Sequence, residues 1–213
     1  MLGHVTIVGR RKYNDDELLD IEKHTAYVWI ELIESATPVQ REAGMGWYAV
    51  AHEEAVLIAK TVDISVTRAA AIIAVLSPLT RWQGNLDDAW AIVTDEPTHH
   101  SLPDNVDKAQ RLLANEPIGD VLGGRKVRAF WLNISRPTTT QTVVCDSWVA
   151  KAIGLAPMDV FATFGVYDAV RRGIRRAAKV AEVRNNQAQA IGWVVTRDAF
   201  VRGQNRLPNP WSS

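Results

Sequence analysis

Cysteine is nearly absent from this chain: Cys145 stands alone among 213 residues. One thiol cannot close an intrachain disulfide, and it cannot supply a four-cysteine zinc or iron–sulfur site. A reducing, cytoplasmic setting fits that usage. Long apolar runs are missing too. None approaches the roughly 20 residues that cross a bilayer, so no membrane partner is expected. The first residues place their charge, Arg10-Arg11-Lys12, after the apolar part, which is the reverse of a secretion signal. Repeats and low-complexity tracts are absent. His99-His100 and His52-Glu53-Glu54 lack the ligand spacing of an H-E-x-x-H helix, so no transition-metal site is expected.

Net charge is also missing, but only in sum. The 24 Lys/Arg balance 24 Asp/Glu. Residues 1–100 hold 8 Lys/Arg against 15 Asp/Glu, whereas residues 101–213 hold 16 against 9. An acidic half is followed by a basic half, and a basic half suits a polyanion such as double-stranded DNA. The same distribution also fits an ordinary solvated surface.

What is present is helical periodicity. Residues 1–12 read as extended, because Val5, Ile7 and Val8 favour strands. From there the apolar spacing predicts helices over about 16–35, 46–62, 66–76, 85–93, 106–115, 126–134, 146–153, 165–182 and 186–201. Pro38 follows the end of the first of these. The 66–76 segment is almost wholly apolar and should be the most buried helix. The expected fold class is all-α, a compact multi-helix unit with little or no sheet. It divides into two helical lobes, about 40–115 and about 116–201, followed by a surface tail over 202–213. Most of the eight tryptophans belong to the core.

Chemistry concentrates between Val121 and Gly154. Gly123-Gly124-Arg125-Lys126 is a helix-entry turn, where bare backbone N–H groups at a helix start suit a phosphate. Arg125, Lys126 and Arg128 add positive charge. The same glycines would also serve as a left-handed C-cap on a short 118–122 turn. About twenty residues on, Val143-Val144-Cys145 delivers Asp146 to the start of the next helix. A carboxylate there is a favoured N-cap, and it also suits acid/base or cation-stabilising chemistry. The two roles are compatible. Upstream, Thr80-Arg81-Trp82-Gln83-Gly84-Asn85 has the residue types for handling a base. Trp82 can stack, Arg81 can meet phosphate, and Gln83 or Asn85 can read a base edge. A helix connector with Trp82 in the core and Asn85 as a cap explains the same residues. Farther on, Arg171, Arg175 and Lys179 share one helix face, beside Arg172 and Arg176, with Val170, Ile174 and Ala178 on the buried side. That face can follow a DNA backbone, or it can simply be solvated.

The order of these elements resembles the helix-hairpin-helix DNA glycosylase superfamily, the endonuclease III class. The resemblance covers about residues 66–154. It rests on Leu122 before a glycine hairpin, on Gly124-Arg125-Lys126 opening a helix, on Val143-Val144-Cys145-Asp146-Ser147-Trp148-Val149, and on Ile73-Ala74-Val75-Leu76-Ser77-Pro78-Leu79-Thr80-Arg81-Trp82. The last of these is similar to the family's buried helix, which ends in a loop approaching the flipped base. The hairpin departs from the family's L-P-G-V-G, being two residues shorter and without its proline. The resemblance implies Asp146 as the catalytic carboxylate and Lys126 as the nucleophile of lyase-competent members. It also implies that the last helices complete the domain carrying the aspartate.

Gly46-Trp47-Tyr48, Leu76-Ser77-Pro78-Leu79-Thr80-Arg81-Trp82-Gln83-Gly84-Asn85 and Lys126-Val127-Arg128-Ala129-Phe130 are similar to motifs of phage glycosylase-like proteins. These are the α-glutamyl/putrescinyl thymine pyrophosphorylase group. The expected function is therefore a phage enzyme that flips a DNA base and cleaves its N-glycosidic bond. One alternative is a transferase placing an amine or amino acid on an activated hydroxymethyl-thymine. Another is a non-catalytic module that binds DNA or a host protein. No organic cofactor and no iron–sulfur cluster is expected. An alkali ion held by hairpin carbonyls is compatible with the sequence.

Overall fold

The computed structural model describes residues 12–155 and 158–201. Ten α-helices and one 3-10 helix account for the regular structure, and no strand occurs among the described residues. The all-α expectation holds. The extended segment expected over residues 1–12 and the tail over 202–213 lie almost wholly outside the described residues.

The helices are α1 Asp15–Ser35, α2 Pro38–Thr61, α3 Val66–Leu76, α4 Trp82–Thr94 and α5 Pro103–Leu113. Then come α6 Ile118–Val121, α7 Arg125–Ser135, α8 Ser147–Ala152, the 3-10 helix Met158–Ala162, α9 Val166–Val180 and α10 Asn185–Val201. Local chemistry sets most of the starts. Asn14 caps α1 by accepting from the Glu17 amide at 2.9 Å, while Glu17 reaches back to the Asn14 amide at 2.9 Å. Asp15, Asp16 and Glu17 in the first turn favour the positive end of the helix dipole. Ser65 caps α3 in the same manner, accepting from the Arg68 amide at 3.2 Å.

Two starts differ from the sequence reading. The first helix ends at Ser35, before Pro38, as expected, but α2 begins at Pro38 rather than near Gly46. Thr37 and Gln40 form a reciprocal cap, the Thr37 amide donating to Gln40 Oε1 at 3.0 Å and the Gln40 amide to Thr37 Oγ1 at 3.3 Å. A proline at the first helical position lacks an N–H that would be unpaired there anyway. Likewise α4 begins at Trp82, not at Asn85, so three residues expected in a loop belong to a helical first turn.

The chain divides into two compact units. One takes the chain up to Trp47 together with the chain from Val143 on, and the other takes Tyr48–Thr142. This differs from a division into successive lobes at about residue 115. The first unit is discontinuous because α1 packs on α9 and α10, which come from the far end of the sequence. As a result the glycine hairpin and Asp146 belong to different units.

In the discontinuous unit the core gathers Ile21, Trp29, Leu32, Val149, Val170, Ile174 and Ile191, all at most 2% exposed. Burying each large apolar side chain contributes about 1.5–3 kcal/mol. Trp29 is fully buried, and its indole N–H donates to Ala188 O at 2.8 Å, so its one polar atom is satisfied. Gly173 lets α9 approach α1 closely, since a Cβ there would lie 2.6 Å from Glu22 O. That approach buries the Glu22 carboxylate. Arg172 Nε and Arg176 Nε take its two oxygens, each at 2.5 Å. A buried charge left without such partners is strongly destabilising.

The continuous unit is built on α3, whose residues Ala69 to Leu76 are all buried. It packs against α7, α5 and α4. A run of apolar residues on every face requires neighbours on every face, as the sequence indicated.

Candidate functional site

The hairpin consists of α6, Leu122, Gly123 and Gly124, followed by α7. Gly124 caps α7 with φ 66° and ψ 146°, close to a region that only glycine occupies without strain. The sequence left open whether the glycines end one helix or begin the next. Gly124 begins α7, and Leu122 ends α6 in an extended conformation. No side chain caps α7. Gly123, Gly124 and Arg125 are exposed, and Lys126 is half-buried.

Arg128 has a second task. Its Nε donates to Leu122 O at 2.9 Å and its Nη2 to Gly119 O at 2.9 Å. The side chain thus ties down carbonyls at the end of α6, which a short helix leaves without partners. Arg128 is still exposed, so it holds the turn while facing solvent.

The loop after α3 contains Leu79, which the sequence places in a motif without a role of its own. Leu79 has φ 63° and is 80% exposed. A left-handed, solvent-facing leucine costs about 1–2 kcal/mol in backbone strain. Its neighbours impose it. The Ser77 hydroxyl donates to Ala74 O at 2.8 Å, and the Thr80 amide returns to Ser77 O at 3.4 Å. The serine–proline pair before Leu79 was the available signal, because a tight turn there aims the next side chain outward.

Arg81 sits at the N-cap position of α4 without a side-chain cap, and it is exposed. Trp82 is half-buried, and Gln83 is exposed and donates to Asp87 Oδ1 at 3.0 Å. Asn85 is only 1% exposed, and its Oδ1 accepts no hydrogen bond. It lies in the interior, neither on the surface nor at a cap.

Asp88, one turn later, is also 1% exposed and was not singled out in the sequence. Its carboxylate accepts from the His99 amide at 2.8 Å, the His100 amide at 3.0 Å and the Ser101 amide at 2.6 Å. Burial pushes the carboxyl up, but the bonds from His99, Ser101 and His100 outweigh it and hold it below the ordinary carboxylate range. The His99-His100 pair thus contributes backbone amides to a loop anchor. No cluster of metal-ligating side chains occurs among the described residues.

Asp146 belongs to the other unit. It caps α8 with φ −120° and ψ −172°, and its Oδ1 accepts from the Trp148 and Val149 amides, each at 3.0 Å. The cap expected from the sequence is present. Behind it, Val143, Val144 and Cys145 are at most 3% exposed and form an apolar wall. The carboxylate itself is half-buried. A cleft of about 460 Å³ in this unit lies between α1 and the start of α9, against Asp15, Leu18, Glu22, Phe164 and Asp168, and Asp146 does not line it.

The basic face of α9 is partly consumed. Arg172 and Arg176 clamp Glu22, and Arg171 pairs with Asp168 at 3.3 Å. Arg175 and Lys179 are exposed on the same helix. Val170, Ile174 and Ala178 are fully buried, as their spacing predicted.

The named residues thus fall into two groups. Gly123, Gly124, Arg125, Lys126, Arg128, Arg81, Trp82, Gln83 and Asn85 lie in the continuous unit, and Asp146, Arg171, Arg175 and Lys179 lie in the discontinuous one. No helix among the described residues is long and apolar enough to cross a membrane.

No curated protein and no solved structure matches the chain. A family model does match residues 15–200, which takes in every described helix but the last residue of α10, and the chain belongs to that family, described as a family of unknown function (DUF7178).

Proposed function

We propose that this protein acts on bases in double-stranded DNA, as the helix-hairpin-helix glycosylase resemblance implies. The observation that carries the reading is the hairpin. Gly124 takes a glycine-only conformation at the start of α7, beside the exposed Arg125. The amides and the dipole of a helix start suit a phosphate. Contacts of this kind position a protein on the duplex without reading its sequence.

Two further features support base extrusion. Leu79 is an exposed apolar side chain on a strained loop, the type of wedge that fills the space a departing base leaves in the stack. Asp146 is a carboxylate held by its own helix against an apolar wall. In the reaction, the bond between the sugar C1′ and the base nitrogen breaks, and the base leaves with the electron pair. Positive charge develops on the sugar, which the ionised Asp146 stabilises. Water then bonds to C1′, Asp146 assists removal of its proton, and a proton reaches the departed base.

The test uses the full chain with duplex oligonucleotides carrying unmodified, deaminated or hydroxymethylated pyrimidines. Binding should weaken linearly with salt on a log–log plot, with a slope of about −0.9 per phosphate contacted. Mass spectrometry should detect a free base from one duplex, and Asp146→Asn should abolish its release. A base that gains mass instead of leaving identifies the transferase. Salt-dependent binding without any change to the DNA leaves a binding module, and absence of binding overturns the proposal.

A further inference from the structure

The Asp146 carboxylate is fixed relative to α8, but α8 has only six residues and is entered from non-helical chain. Residues 136–146 belong to no helix or strand. The last three before Asp146 are nevertheless buried. Their backbone N–H and C=O groups therefore need partners that no ladder provides.

Tyr167 supplies partners for two of them. Its hydroxyl donates to Val143 O at 3.3 Å and accepts from the Cys145 amide at 3.5 Å. Both contacts are long, as befits one hydroxyl shared between two backbone groups. Cys145 Sγ makes a third contact, to Tyr167 O at 4.0 Å. The tyrosine is 5% exposed, and its ring meets Phe161 edge-on at 5.9 Å. It is the second residue of α9, directly after the Gly165–Val166 turn, where Gly165 takes φ 83° and its Cα sits against Leu18. At the other end of α8, the His24 Nε2 meets Ile153 O at 3.1 Å.

We infer that Tyr167 is the positioning residue for the Asp146 carboxylate. Its hydroxyl holds the extended Val143–Cys145 segment and so sets where the α8 cap is placed against α9. This inference rests on the base-acting reading for its functional consequence, though not for its structural one.

The experiment compares Tyr167→Phe, which keeps the ring, with Phe161→Leu, which loosens ring packing and keeps the hydroxyl. Hydrogen exchange is read at the Trp148 and Val149 amides of the full chain without ligand. Tyr167→Phe should speed exchange at both by roughly 10-fold or more, while Phe161→Leu lowers Tm and leaves those two amides in step with the rest of the unit. On the duplex that releases a base, Tyr167→Phe should lower kcat by roughly 10–100-fold with KM within about 2-fold, which is the mark of a group acting in the reacting state. Asp146→Asn/Tyr167→Phe should be no slower than Asp146→Asn alone, because the tyrosine acts through the aspartate. Unchanged exchange in Tyr167→Phe, or additive losses in the double variant, overturns the inference. If no duplex loses a base, the base-acting reading fails, and the exchange comparison still decides whether Tyr167 holds the cap.

Discussion

Two helix starts in this molecule solve the same problem in opposite ways. At α7 the N-cap residue is a glycine, which has no side chain with which to cap the helix. At α8 an aspartate caps the helix and takes two of its first amides on one oxygen. The first start has no capping side chain of its own. The second consumes its donors and presents a fixed negative charge. A helix N-terminus is therefore not a site by position alone, since its capping residue decides whether it receives an anion or supplies one. The basic residues show the same contrast. Arg172 and Arg176 are committed to Glu22, whereas Arg175 and Lys179 on the same helix face solvent.

The sharpest way to break this comparison is Asp146→Asn. Asparagine caps a helix about as well as aspartate, so Tm should barely move. Base release should fall by roughly 10²–10⁴-fold, because the charge is gone. A large Tm loss with full activity would make Asp146 purely structural. Asp146→Ala adds the loss of the cap, about 1 kcal/mol in denaturant unfolding.

The basic helix provides the next test. Arg172→Glu/Arg176→Glu would set three carboxylates together and should destabilise by about 2–3 kcal/mol. This is less than breaking a fully buried pair, because both guanidiniums are about half exposed. Arg175→Glu/Lys179→Glu should leave urea unfolding unchanged and reduce duplex affinity. Equal affinity for wild type and that variant would remove α9 from the DNA surface.

The hairpin should separate its two glycines. Gly124→Ala forces a side chain into its positive-φ conformation and should cost about 1–3 kcal/mol. Gly123→Ala meets no neighbouring atom and should change stability by less than about 0.5 kcal/mol. Equal unfolding midpoints for the two variants would contradict the Gly124 geometry.

The smallest effect concerns acid. Asp88 titrates below its unfolded value of about 3.9. Its stabilisation is complete above that pH and is lost as pH falls through the lower folded value. Asp88→Asn should be less stable than wild type at pH 7, and the gap should close below about pH 4. Urea midpoints at pH 7, 4 and 3 measure this directly.

Much of this was legible in the residues because it is local. The apolar stretch from Ala69 to Leu76 required burial on all sides. Asp146 stood where a cap must stand. The spacing of Val170, Ile174 and Ala178 marked the inner face of α9. The start of α2 was read too late, near Gly46, because a proline after one helix and a proline at the first position of the next look alike until the Thr37–Gln40 pair is noticed. Asn85 misled for a different reason: a polar residue near a loop is ordinarily exposed, and only packing showed it inside.

The sequence by itself determined the all-α class, nearly every helix, the glycine turn and the capped aspartate. Each of these depends on residues within a few positions of one another, where periodicity, caps and glycine conformations act. Only the tertiary structure decided that α1 joins α9 and α10 from the far end of the chain, that Glu22 absorbs two of the arginines of α9, that Asp88 gathers the His99–Ser101 amides, and that Tyr167 holds the approach to Asp146. These links span between about ten and 150 positions, and a carboxylate or hydroxyl carries no mark of which distant amide or guanidinium it will meet.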